Sequence, residues 1–140
     1  MSITNQLGDA AELAVAAEIL RLGYKVAIPF GHDWKYDLIV EIEGELKKVQ
    51  VKSTEPKNGK LTYKVGTNTN ILKGKHQFHT YTKVDIDYFI GYDRVNKNCY
   101  LIPMELVESV YDTVTIRLKP TKNKNYKKIH WAKDYLLEKL

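Results

Sequence analysis

The stretch from Tyr36 to Lys52 admits few folds. Two apolar-rich runs, Tyr36-Asp37-Leu38-Ile39-Val40 and Lys47-Lys48-Val49-Gln50-Val51-Lys52, flank Glu43-Gly44. β-branched residues at this density favour strands, and a glycine in the second central turn position supplies a positive φ. The stretch therefore reads as a β-hairpin turning at Glu43 and Gly44. Ile42 then pairs with Glu45, and counting back in step sets Asp37 opposite Gln50. Directly opposed residues share a face, and Lys52, two residues on, shares it too. Leu38, Val40, Val49 and Val51 point to the other side, into a core. A one-residue slip would reverse every side chain. One arm thus carries a carboxylate and the other an amide and an amine. If they converge they form a small metal site with a lysine beside it, suited to hydrolysing a phosphodiester.

The remaining elements follow from caps, turns and periodicity. Thr4 or Asn5 caps a first helix running to about Leu22, which Gly23 ends. Tyr24 to Phe30 reads as a short strand and Gly31 to Lys35 as a loop. Hairpin strands are expected at about Tyr36–Ile42 and Glu45–Thr54. Lys57-Asn58-Gly59-Lys60 is a strong turn signal, so Lys60 to Gly66 is expected as a further antiparallel strand. Thr67 to Lys83 reads mainly as loop, with a helical turn within Ile71 to Tyr81. Asp87–Asp93 and Asn98–Ile102 read as strands, Met104–Tyr111 as a short helix and Thr113–Leu118 as a strand. Pro120–Asn125 reads as a loop. Ile129, Ala132, Leu136, Leu137 and Leu140 form a helical stripe, which predicts a C-terminal helix over 127–140 covering the core or an oligomer interface. The fold class is a mixed α/β (α+β) domain over 1–140, with a largely antiparallel central sheet flanked by helices.

The first helix carries an acid where apolar residues are expected. Glu12 neighbours Gly8, Val15, Ala16 and Ile19 on one face. A carboxylate there either lies at the solvated edge of the stripe or is buried beside a metal, a lysine or a hydrogen-bond donor, because burying it alone is costly.

At 140 residues the chain suffices for one compact domain and is too short for two. With 44% hydrophobic and 28% charged residues it fits a globular protein. No run spans a bilayer and no signal peptide opens the chain, so no membrane role and an intracellular, cytoplasmic setting are expected. The single cysteine, Cys99, excludes an internal disulfide and sits in an apolar run. A net charge of +5 favours a polyanionic partner, nucleic acid first. His76 and His79 lack further ligands at zinc-site spacing. No glycine-rich phosphate loop is present, and Ser53 has no histidine placed to activate it.

Gly8-Asp9-Ala10-Ala11-Glu12 on a helix, then Tyr36-Asp37, then Gln50-Val51-Lys52, resembles the PD-(D/E)XK nuclease superfamily. Within it the chain is most similar to group I intron-associated homing endonucleases, themselves related to archaeal Holliday-junction resolvases. Asp85-Ile86-Asp87-Tyr88-Phe89 and Tyr100-Leu101-Ile102-Pro103 extend the likeness over most of the chain. The resemblance implies a restriction-endonuclease-like core and a magnesium-dependent, site-specific double-strand DNA endonuclease, with Mn²⁺ able to substitute. It implies Asp37 as the main metal ligand, Gln50 in the second acidic position, Lys52 as the catalytic lysine and Glu12 as a metal-site carboxylate, with the Val51 carbonyl as a further donor. Tyr36 replaces the motif's proline, and Gln50 brings an oxygen without a charge, which weakens metal binding. Lys52 either orients the attacking water or stabilises charge at phosphorus; a lysine between two carboxylates favours the second.

Around the site, Lys35, Lys57, Lys60, Lys73, Lys75 and Lys83 are candidate phosphate contacts. Asn68, Asn70, Lys73, His76 and Gln77 are able to read base edges. Two cuts on one duplex require a homodimer or homotetramer. A junction-specific resolvase and a non-cleaving DNA-binding domain of the same fold are the alternatives.

Overall fold

The structure, a computed structural model, describes residues 3–31, 33–72, 75–120 and 129–140, with the backbone alone for 67–72 and 75–80. Helix α1 (Ile3–Arg21) is followed by β1 (Lys25–Ala27), β2 (Leu38–Ile42) and β3 (Glu45–Thr54). Then come β4 (Lys60–Lys64), β5 (Gly66–Leu72), β6 (Lys75–Thr80), β7 (Tyr88–Asp93) and β8 (Asn98–Ile102). Helix α2 (Met104–Ser109), β9 (Thr113–Arg117) and a 3₁₀ helix at Ala132–Tyr135 complete the described elements. Among them no helix is long and apolar enough to cross a membrane.

The central sheet has the order β1-β2-β3-β7-β8. All its pairings are antiparallel except β3 with β7, which is parallel and sets Gln50 beside Phe89 and Lys52 beside Gly91. The expected hairpin is present in the expected register: Ile42 pairs with Glu45 and Leu38 with Val49. Its turn holds Glu43 at φ 51° and Gly44 at φ 82°, the paired positive angles of a type I′ turn, whose twist matches the strands it joins.

Each face of the sheet is covered. On one, Ala11, Val15, Ala16 and Ile19 of α1 pack on Leu38, Val40, Val49, Val51, Ile90 and Cys99. On the other, Leu61, Tyr63, Val114 and Ile116 cluster with Phe89, Tyr100 and Ile102. Those four belong to β4 and β9, an antiparallel pair outside the central sheet.

Several expected elements differ. The Lys57–Lys60 turn forms, with Lys57 and Lys60 exchanging backbone hydrogen bonds of 2.9 and 3.1 Å. The strand after it is antiparallel as expected but stops at Lys64; it pairs with β9 outside the central sheet, with Leu61 and Tyr63 buried against the face of that sheet. The strand expected over Tyr24 to Phe30 is limited to three residues, and Ile28 and Phe30 are exposed beyond it. In place of a loop with a helical turn, β5 and β6 form a hairpin of their own with a bulge between Thr69 and Ile71.

The described part of the predicted C-terminal helix is not α-helical. Trp131 bridges Arg117, Leu136 bridges Tyr100, and the Leu137 amide donates to the Cys99 carbonyl at 2.9 Å. Pairing with strand backbones replaces the helical ladder. Ala132 then joins one core and Leu137 the other, while Leu136 stays exposed, so no single stripe forms. The loop expected at Pro120–Asn125 lies, beyond Pro120, outside the described residues.

Candidate active site

Asp37 stands just before β2. Its amide donates to the Val49 carbonyl at 2.8 Å, and its Oδ2 accepts from the Val51 amide at 2.9 Å. The carboxylate is thus held against β3 by main-chain groups that cannot drift independently of the sheet. Gln50 is buried, 6% exposed, with Nε2 donating to the Val51 carbonyl at 3.4 Å. Lys52 is half-buried, with Nζ 5.8 Å from the centre of the Tyr81 ring. The N-terminal half of α1 closes the space. Thr4, Gly8 and Glu12 join Asp37, Gln50, Val51, Lys52, Ser53 and Arg94 around one cleft of about 450 Å³.

Glu12 is half-buried and hydrogen-bonded to Asp37. Burial, then the Asp37 charge and that hydrogen bond, with Asp9 adding a little, push its pKa up to about 7. Asp37 is also raised by burial, against the opposing pull of the Val51 amide, the Glu12 contact and the Lys52 charge. Two desolvated carboxyls this close cannot both ionise cheaply, so near neutral pH they share a proton. Burial first, then the charges of Asp37 and Asp85, push the Tyr81 phenol up to about 12, so it stays neutral.

The donor set fits a hard dication. Every group on offer is oxygen: two carboxyls, the Gln50 amide and the Val51 carbonyl. A cation between Glu12 and Asp37 would do the work of their shared proton. Among the described residues no cluster of three or more His, Cys, Asp or Glu side chains is placed to hold a metal, so the two acids must be completed by amide and main-chain oxygen.

A family model described as PD-(D/E)XK endonuclease matches residues 2–138. The chain belongs to this family. It is an endonuclease, and nucleases of this kind generally use divalent metals and act on DNA. The endonuclease is similar in structure to a bacterial homing endonuclease, I-Ssp6803I, with a TM-score of 0.75 and 26% identity. That likeness covers 96% of this chain and 89% of the other. A comparison with curated proteins returns no match.

Glu12, Asp37, Gln50 and Lys52 of the endonuclease therefore meet on one cleft, with the Val51 main chain between them. The candidate DNA contacts are dispersed. Lys35 is ion-paired with Asp85 at 2.9 Å and does not line the cleft. Lys57 and Lys60 flank the turn before β4. Asn68 and Asn70 lie in β5, and Lys75, His76 and Gln77 in β6. Lys73 lies outside the described residues. Thr4 and Asn5, expected as helix caps, lie within α1, which starts at Ile3, and Thr4 lines the cleft; sequence reasoning missed that role, and missed Tyr81 and Arg94. Arg94 reaches the cleft only through the parallel pairing of β3 with β7, for which a single sequence carries no local signal.

Proposed function

We propose that this endonuclease is a magnesium-dependent enzyme that cuts double-stranded DNA at a defined site, as a homing endonuclease does. The observation that carries the reading is the hydrogen-bonded carboxyl pair Glu12–Asp37 beside Gln50 and Lys52 around one cleft. The family match and the similarity to a bacterial homing endonuclease support it.

Asp37 is the principal ligand, fixed by its bond to the Val51 amide. The Gln50 side-chain oxygen, the Val51 carbonyl and Glu12 complete the protein's share. A bound Mg²⁺ supplies Lewis acidity toward the phosphate and a more acidic water, with Mn²⁺ able to replace it. Glu12 must release its proton for the site to fill, and this sets the lower pH limit of activity. Lys52 brings positive charge to the same face and stabilises charge building on the phosphoryl oxygens. Lys35, Lys57, Lys60 and Lys75 contact phosphates, and Asn68, Asn70, His76 and Gln77 of the β5–β6 hairpin read bases. Because one cleft cuts one strand, the active form is a homodimer or homotetramer.

The test is to incubate the protein with a randomised duplex library, with and without Mg²⁺, and map the cut ends. Ends clustered at one sequence, only with the metal and not with Asp37→Asn, are expected. Cleavage of four-way junctions regardless of sequence would overturn site specificity, and nicking by Asp37→Asn would overturn the assignment of the cleft.

A further inference from the structure

Arg94 stands on the wall of the same cleft as Lys52 but belongs to no part of the motif. It begins the turn after β7, and that turn is held firmly. Asp93, fully buried, accepts from the amides of Val95 and Asn96 at 2.9 and 3.0 Å and from Asn96 Nδ2 at 2.7 Å. The Arg94 amide donates to the Thr54 carbonyl at 3.0 Å, which ties the turn to the end of β3.

The side chain is aimed with similar care. Nη1 donates to Ser53 Oγ at 2.9 Å, and Nη2 pairs with Glu55 at 3.3 Å. The guanidinium has five N–H donors. Among the described residues Nε is buried and without a hydrogen-bond partner. Desolvating a donor without a partner is unfavourable and needs an explanation. The pair with Glu55 is weak: that carboxylate is 59% exposed, and an exposed ion pair contributes little. A phosphate would replace it readily, because guanidinium matches phosphate with two parallel N–H bonds.

We infer that Arg94 is a phosphate-gripping residue, its guanidinium fork clamping a DNA phosphate next to the bond being cut and exchanging Glu55 for that phosphate when DNA enters. Ser53 is its positioning partner, since its hydroxyl fixes Nη1. Lys52 and Arg94 then bracket the backbone with positive charge, opposite the acids that hold the metal. The inference rests on the nuclease reading for its substrate.

Two measurements on the full chain test it. The first is binding of a short labelled duplex of mixed sequence in Ca²⁺, titrated with salt. Arg94→Gln is expected to lower the slope of log affinity against log salt by about 0.9, the value for one lost phosphate contact. The second is Mg²⁺-dependent nicking of supercoiled plasmid, which Arg94→Gln is expected to slow by about 10- to 100-fold. Arg94→Lys keeps the charge but not the fork, so it should retain the salt slope yet nick at least about tenfold more slowly. It also carries the test if Arg94→Gln does not fold. An unchanged slope and rate in Arg94→Gln, or wild-type nicking by Arg94→Lys, would overturn the inference while the nuclease reading stood. A wild-type protein that never nicks, with the slope still falling in Arg94→Gln, would overturn the nuclease reading and leave the phosphate grip.

Discussion

Burial and the neighbouring Asp37 charge raise the Glu12 carboxyl, so the charge of the cleft depends on pH near neutrality. Glu12 titrates at about 7 in the folded chain against 4.5 ordinarily. The folded state therefore binds a proton that the unfolded state has already released, and its stabilising effect is complete below 4.5 and lost as pH rises through 7. Glu12→Gln keeps the shape and removes the desolvated charge. Without metal at about pH 8 it should be more stable than wild type by about 1–2 kcal/mol, after allowing for partial solvent screening. Near pH 4.5 the difference should vanish; urea titrations at the two pH values check it. Gln50→Glu makes the opposite change, adding a third acid at a site only 6% exposed. Chelated, that variant should lose about 2–3 kcal/mol, and Mg²⁺ should raise its melting temperature more than it raises that of the wild type. Equal metal-induced shifts in a thermal melt would count against Gln50 as a ligand position.

At the scale of elements, Gly91 is where two layers touch. A Cβ there would lie 2.5 Å from Cζ of the buried Tyr63 ring, which β4 lays on the central sheet. Gly91→Ala should destabilise the fold by about 1–3 kcal/mol, and because Gly91 pairs with Lys52 it should also lower nicking. A wild-type urea midpoint would show that the β4–β9 layer does not press on β7. The central hairpin was legible because turn chemistry and alternation act within neighbouring residues: Glu43-Gly44 fixed the register and so the face shared by Asp37, Gln50 and Lys52. Glu12 was legible as an acid on an apolar helix face. The parallel β3–β7 pairing was not, since it joins segments almost forty residues apart with no turn to mark it. The Lys60–Lys64 strand was legible as antiparallel, but its partner β9 was not, since that pairing joins distant segments with no turn to mark it. The C-terminal stripe misled because a spacing of three and four also fits a segment pairing by backbone with β8 and β9.

For the whole molecule, charge and stoichiometry decide what can be measured. A net charge of +5 should make duplex binding weaken steeply with salt. If two chains share one duplex, sedimentation should give a mass that is an even multiple of the chain's. Dilution below the dissociation constant of the oligomer should then leave plasmid nicked rather than linear; linear product formed at the same ratio at every dilution would argue for cutting by single chains. The parallel pairing also has a meaning in time. A ribosome completes Glu12, Asp37, Gln50 and Lys52 well before it reaches Tyr88, and until then the outer edge of β3 has no neighbour. A chain arrested before that strand carries every motif residue but lacks both the strand that pairs with β3 and the wall that Arg94 provides, so it should nick plasmid far more slowly than the full chain. Full-rate cutting would then begin only once β7 and the turn that carries Arg94 have docked on β3.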